Sequence, residues 1–112
     1  MNRADAKSLG ETMGPLTGLR VIERSGSLSG SYCTKLLADF GAAVIKVERP
    51  RHGDGARTLG PFPHDIPDPE KSGLFLYLNT NKHGITLDLG TPRGREVFID
   101  LVRQWRHTIG EL

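Results

Sequence analysis

The stretch Gly18–Pro50, GLRVIERSGSLSGSYCTKLLADFGAAVIKVERP, decides the fold. Gly18–Arg24 has an apolar centre and reads as a strand. Ala42–Glu48 reads as a second strand that ends at Arg49-Pro50. Between them Tyr32, Leu36, Leu37 and Phe40 fall at i, i+4, i+5 and i+8, which predicts a helix packed through that stripe. Gly41 follows the last apolar residue and suits a left-handed helix cap. Two strands joined by a helix in so short a span predict a right-handed parallel crossover. The turn Ser25–Ser31 and the Arg49 region then share one edge, the carboxyl ends of the strands, where open α/β sheets bind their ligands.

Working outward, Met1–Pro15 is polar and aperiodic and reads as a disordered tail. Arg51–Gly73 is rich in glycine and proline, the composition of a long irregular loop. Leu74–Leu78 is an apolar run compatible with a strand or a short helix. Asn79–Gly84 is a polar turn, and Ile85–Leu89 alternates with period two and reads as a strand. Thr91-Pro92 has the N-cap and first-turn signature of a second helix, with Val97, Phe98, Leu101, Val102 and Trp105 as its apolar face. His107–Leu112 reads as the start of another strand. The sum is an α/β fold, a partial Rossmann-like parallel sheet with flanking helices.

The totals narrow the function. A chain of 112 residues with 37% apolar content holds one small domain or a piece of a larger one. The net charge is +2 and the charges are scattered, which disfavours nucleic acid. A single cysteine, Cys33, excludes an internal disulfide, and its place on the first helix reads as a small apolar core residue. No two of the four histidines stand at helical spacing, so a metal site has little support. Neither a signal peptide nor a membrane span is visible, which gives the expectation of a cytoplasmic protein.

Several residues invite a chemical reading, and each has a plainer one beside it. The Ser25–Ser31 turn brings glycines and free helix amides to an anion-binding position, or simply caps the helix. Glu48-Arg49 could meet a ribose and a phosphate or adenine, or be a solvated strand end. His52-Gly53-Asp54 and Arg57 in the long loop could carry a catalytic role, or, as an Asp-Gly pair more often does, simply mark a turn. Asn79, Asn81 and Lys82 could hold a polar ligand or form a tight asparagine-rich turn. No nucleophile, base and oxyanion set can be assembled from these residues.

Taken together, three blocks resemble the N-terminal part of the class III CoA-transferases, the family of formyl-CoA transferase, carnitine CoA-transferase and α-methylacyl-CoA racemase. They are G-S-Y-C-T-K-L-L-A-D-F-G-A-A-V-I-K-V-E, then the Gly53-Asp54-x-x-Arg57 loop, then Asn79-x-Asn81-Lys82 ahead of Thr86-Leu87-Asp88-Leu89. The resemblance covers about Pro15 to Val102. It implies an interlocked homodimer with a large Rossmann-like domain, of which residues 16–112 would be a truncated N-terminal segment. It implies that intact relatives move CoA between carboxylic acids through an aspartyl intermediate, with CoA or acyl-CoA as substrate and no metal.

Position by position, the resemblance assigns Arg49 to the adenosine end of CoA and Leu87 to the segment lining its nucleotide. It places Leu28 and Ser29 where the chain approaches the thioester, and Asn79, Asn81 and Lys82 in the wall of the site. Departures accompany it. Glu23-Arg24-Ser25 stands where the family has Asp-Leu/Phe-Thr/Ser, Gly30-Ser31 stands for Gly-Pro, and the family's Glu-Asn-Phe after the second helix is missing. The catalytic aspartate is implied to lie downstream, and none of Asp39, Asp54, Asp65, Asp68, Asp88 or Asp100 matches it. The expectation is therefore a CoA-binding segment inactive alone. Alternatives are a fragment of a racemase-like enzyme, and a non-enzymatic remnant or a partner of a longer subunit.

Overall fold

In the computed structural model, residues 13–24, 26–105 and the backbone of 107–110 are described. Four parallel strands form one sheet in the order β3-β2-β1-β4: β1 Arg20–Arg24, β2 Ala43–Glu48, β3 His83–Thr86 and β4 His107–Gly110. Helix α1, Leu28–Asp39, joins β1 to β2; α2, Gly73–Leu78, precedes β3; and α3, Pro92–Gln104, joins β3 to β4. This is half of a doubly wound sheet. The chain steps from β1 to β2 to β3 and then returns past β1 to β4. Right-handed crossovers therefore put α1 on one face and α3 on the other.

The register places Val21 beside Val44, Ile22 beside Ile45 and Glu23 beside Lys46. Alternation along a strand then gives Val21, Glu23, Val44 and Lys46 to the α1 face, and Ile22, Arg24 and Val47 to the other. The apolar core under α1 is small: Val21, Ala38, Ala42 and Val44, with Leu16, Leu19 and Leu37 packed against it. Helix α1 starts on Ser27, whose side chain accepts from the Gly30 amide at 3.1 Å. It ends as the sequence predicts, on Gly41 in the left-handed region (φ 105°). Gly41 N–H donates to Ala38 O and Ala42 N–H to Leu37 O, both at 3.0 Å, a Schellman closure.

The helix faces the sheet differently from the prediction. Tyr32, Leu36 and Phe40 are exposed, and the side turned inward is Ser31, Thr34 and Ala38, with Leu37 alone of the predicted stripe in the core. Cys33, expected in the core, is exposed as well. Short and hydroxylic side chains line the inner side because charged groups lie beneath them. The predicted Ser25–Ser31 turn is also shorter, since Leu28–Ser31 form the first turn of α1.

The other differences are local. Leu74–Leu78 is helical, opened by Ser72, whose hydroxyl accepts from the Phe75 amide at 3.1 Å. The third strand runs His83–Thr86, so Leu87–Leu89 fall after it rather than within it. The long loop contains two 3-10 turns, Gly55–Thr58 and Pro63–Asp65. Of the predicted tail, residues 1–12 lie outside the described part. Beyond them, Leu16 N–H donates to Phe40 O at 2.9 Å and ties the chain to the end of α1.

Candidate functional site

Two groups of charged residues meet at the carboxyl ends of the strands, one on each face of the sheet. On the α1 face lies a dry cluster centred on Glu23, which has no exposed surface. Its Oε2 accepts from Lys46 Nζ at 2.7 Å and Ser31 Oγ at 3.0 Å. Its Oε1 accepts from Lys82 Nζ and Thr34 Oγ1, each at 2.7 Å. Lys46 Nζ also reaches Asp54 Oδ2 at 2.6 Å and Ser31 Oγ at 3.2 Å. Lys82 Nζ completes its set with Ser31 O at 2.9 Å and Asn79 Oδ1 at 2.8 Å.

Two ammonium groups and two carboxylates balance, and each ammonium has three acceptors for its three protons. Burial alone would raise the pKa of Glu23, but Lys46, Lys82 and Thr34 hold it below the usual glutamate value. Burial likewise works against Asp54, and Lys46, the Ala56 amide and Ser31 bring its pKa below the usual aspartate value. Lys82 is shifted the other way from most paired lysines. Burial lowers its pKa, and Glu23 offsets only part of that. A cluster so completely partnered has no donor or acceptor left for a ligand.

This cluster joins the residues singled out in the three sequence blocks. Ser31 and Thr34 come from the first, Asp54 from the second, and Asn79 and Lys82 from the third. Beside it, Glu48 accepts from Arg57 twice, Nε to Oε2 and Nη2 to Oε1, both at 2.8 Å, and from the Asp54 amide at 2.7 Å. Burial opposes ionisation of Glu48, yet Arg57 and the Asp54 amide keep its pKa below the usual value. Gly53 between them has φ 62°, and a Cβ there would fall 2.5 Å from Glu48 Oε2. Glu48 is thus committed within the chain rather than offered to a ribose.

The opposite face carries the opening. A cavity of about 580 Å³ lies beyond the ends of β2 and β3, lined by Arg24, Val47, Glu48, Arg49–His52 and Leu87–Gly90. That volume suits a nucleotide-sized ligand. Arg49 and Arg51 are exposed and make no ion pair among the described residues. The turn that carries them is closed by His52 N–H to Pro50 O at 2.7 Å and Gly53 N–H to Arg49 O at 3.2 Å. Leu87 is held in place by donating its amide to Glu48 O at 3.1 Å.

Of the residues expected at a site, the fold brings Arg49 and Leu87 into this cavity. Leu28 and Ser29 lie elsewhere, exposed on the first turn of α1. Asn79 and Lys82 belong to the buried cluster, while Asn81 donates to Asp39 Oδ1 at 3.0 Å. Arg24 and Arg51 line the cavity without having been singled out as site residues, and His52 of the long loop lines it too. Arg24 could have been found from the pleat, since it ends β1 with its side opposite Glu23. Among the described residues no group of side chains is arranged to hold a metal ion, and no helix is long and apolar enough to cross a membrane.

A half-wound parallel sheet with a basic cavity at its carboxyl edge defines a class of nucleotide-type binding folds. The chain belongs to CoA-transferase family III, whose model matches residues 16–105. It is 47% identical over 92 residues to succinyl-CoA:mesaconate CoA-transferase of Haloarcula hispanica, covering 82% of this chain and 23% of that protein. It is 48% identical over 89 residues to formyl-CoA:oxalate CoA-transferase of Bradyrhizobium diazoefficiens, covering 80% of this chain and 20% of that protein. Among solved structures, a CaiB/BaiF family protein from Brucella suis superposes with a TM-score of 0.76 at 36% identity, over 88% of this chain and 26% of that one. The chain therefore spans about a quarter of the length of the relatives it matches.

Proposed function

We propose that this chain binds the nucleotide end of CoA in the cavity beyond β2 and β3, as the N-terminal segment of the large domain of a class III CoA-transferase. What carries the reading is the meeting of Arg49 and Leu87, both assigned to the CoA nucleotide by the family resemblance, in one basic cavity at the carboxyl edge of the sheet. A guanidinium beside an apolar wall can stack on adenine and meet phosphate at once. In intact relatives the substrates are an acyl-CoA and a carboxylic acid, joined through an aspartyl intermediate that divides one acyl transfer into easier steps. No aspartate of this chain matches the family nucleophile. Its contribution is binding, and catalysis requires the remaining segments, in the same polypeptide or in a partner subunit.

Isothermal titration of the full chain with CoA tests this reading. Saturable one-to-one binding is expected, weakened about tenfold or more by Arg49→Ala. No saturable heat from the folded wild-type chain overturns it.

A further inference from the structure

The corner Arg49–His52 forms one wall of the cavity, and the residue just before it is an anion. Glu48 ends β2 and lines the same space as Arg49 and Arg51. Those two arginines are exposed and make no ion pair among the described residues. A free carboxylate at position 48 would compete with an anionic ligand for their guanidinium groups, and would repel the ligand itself.

Arg57 prevents this. Its Nε and Nη2 fork onto the two oxygens of Glu48, each at 2.8 Å. The fork closes over Gly53, where a Cβ would stand 2.5 Å from Glu48 Oε2 and 3.0 Å from Arg57 Cδ. The guanidinium is aimed from other elements as well. Its Nη1 donates to Pro69 O at 2.9 Å, and its central carbon lies 3.7 Å from the centroid of the Phe75 ring on α2. A planar fork fixed in this way loses little freedom on pairing.

Arg57 itself lies outside the lining of the cavity. It borders a separate recess of about 170 Å³ with Pro69 and Glu70, and Glu48, Arg49, Arg51 and His52 border both spaces. The corner is thus a partition, with the ligand space on one side and Arg57 on the other. Resting on the CoA reading, we propose that Arg57 is a positioning residue of the nucleotide cavity, which holds the Glu48 carboxylate off Arg49 and Arg51 and so keeps both guanidinium groups open to an anionic ligand. Without Arg57 the Asp54 amide, 2.7 Å from Glu48 Oε2, would still favour the ionised form, so the carboxylate would be released as a charge.

The test is calorimetric titration of the full chain with CoA, for wild type, Arg57→Gln, Glu48→Gln and the double variant Glu48→Gln/Arg57→Gln. The two single changes break the same fork from opposite sides, and only Arg57→Gln frees a carboxylate. Arg57→Gln is expected to bind CoA about tenfold or more weakly than wild type, and Glu48→Gln no more than about twofold more weakly. The double variant leaves no unpaired charge, so it reports even where Arg57→Gln does not fold; its affinity should lie within about threefold of wild type. Equal losses in the two single variants would make the fork merely structural and overturn the proposal. So would an Arg57→Gln affinity within about twofold of wild type, or a loss of about tenfold in the double variant. Each of these leaves the CoA reading standing, whereas no binding by wild type overturns both.

Discussion

The two faces of the sheet treat charge in opposite ways within a few ångströms of the same strand ends. Under α1, Glu23, Lys46, Asp54 and Lys82 are sealed from water and every ammonium proton has an acceptor. Beyond β2 and β3, Arg49 and Arg51 face solvent without an ion pair among the described residues. Adjacent residues belong to different worlds: Glu23 is framework and Arg24 is cavity wall. The contrast teaches that charge in a motif is not itself a sign of a ligand. Saturated charge holds the chain together, and surplus charge is what remains available for binding.

Removing the hub should break the buried side most severely. Glu23→Gln leaves two buried ammonium groups with one carboxylate, and breaking such a pair costs about 3–5 kcal/mol. That is a large share of the stability of a small domain. Urea unfolding followed by far-ultraviolet circular dichroism should show a lost or strongly shifted transition. A change of less than about 1 kcal/mol would mean that the cluster is not the framework described here.

Acid should reach the same cluster more gradually. Glu23, Asp54 and Glu48 all have folded pKa values below their ordinary ones. Their stabilisation is therefore complete above the unfolded values of 4.5 for glutamate and 3.8 for aspartate, and is lost as pH falls through the folded values. Lys82 has a lowered pKa, so its unfolded form binds the proton more tightly and it adds no loss of stability as pH rises toward 10.5. The melting temperature should stay level near neutrality and drop below about pH 4.5, with a shallower drop in Glu23→Gln. A level profile down to pH 3 would contradict the assignment.

The smallest effect is expected on the other face. Arg49→Ala removes an exposed side chain with no ion pair among the described residues and should change stability by no more than about 0.5 kcal/mol. The same urea experiment checks it. A cost above about 1.5 kcal/mol would make the cavity cations structural and erase the difference between the two faces.

Much of the fold was legible because strand and cap signals are local. The apolar centres of β1 and β2, Gly41 at the end of α1 and Thr91-Pro92 at the start of α3 each announce themselves within a few residues. The orientation of α1 was not legible from its apolar stripe, because Tyr32, Leu36 and Phe40 point outward while Ser31 and Thr34 meet Glu23. A signal was present: Ser27, Ser31, Thr34 and Ala38 form an equally periodic stripe of small residues. It gains meaning only once Glu23 and Lys46 are seen side by side in register. Arg49 and Leu87 were singled out through the family pattern, and both line the cavity. Arg24 and Arg51 were not, because their place depends on a pleat and on a left-handed turn.

The buried cluster also constrains the order in which the chain can assemble. The Lys82–Glu23 contact joins residues 59 positions apart. Closing a loop of that length costs about 3.6 kcal/mol of chain entropy beyond a constant. Charges that must first shed their water gain too little on meeting to drive that closure unaided. The neighbouring β1–β2 pair needs a much shorter loop and buries Val21 and Val44 at once. This favours an order in which β1 and β2 pair first, bringing Glu23 beside Lys46, and the Lys82 contact closes afterwards. Long-range contacts of this kind slow folding, and on this order the Lys82 contact would latch a β1–β2 pair already formed rather than nucleate it.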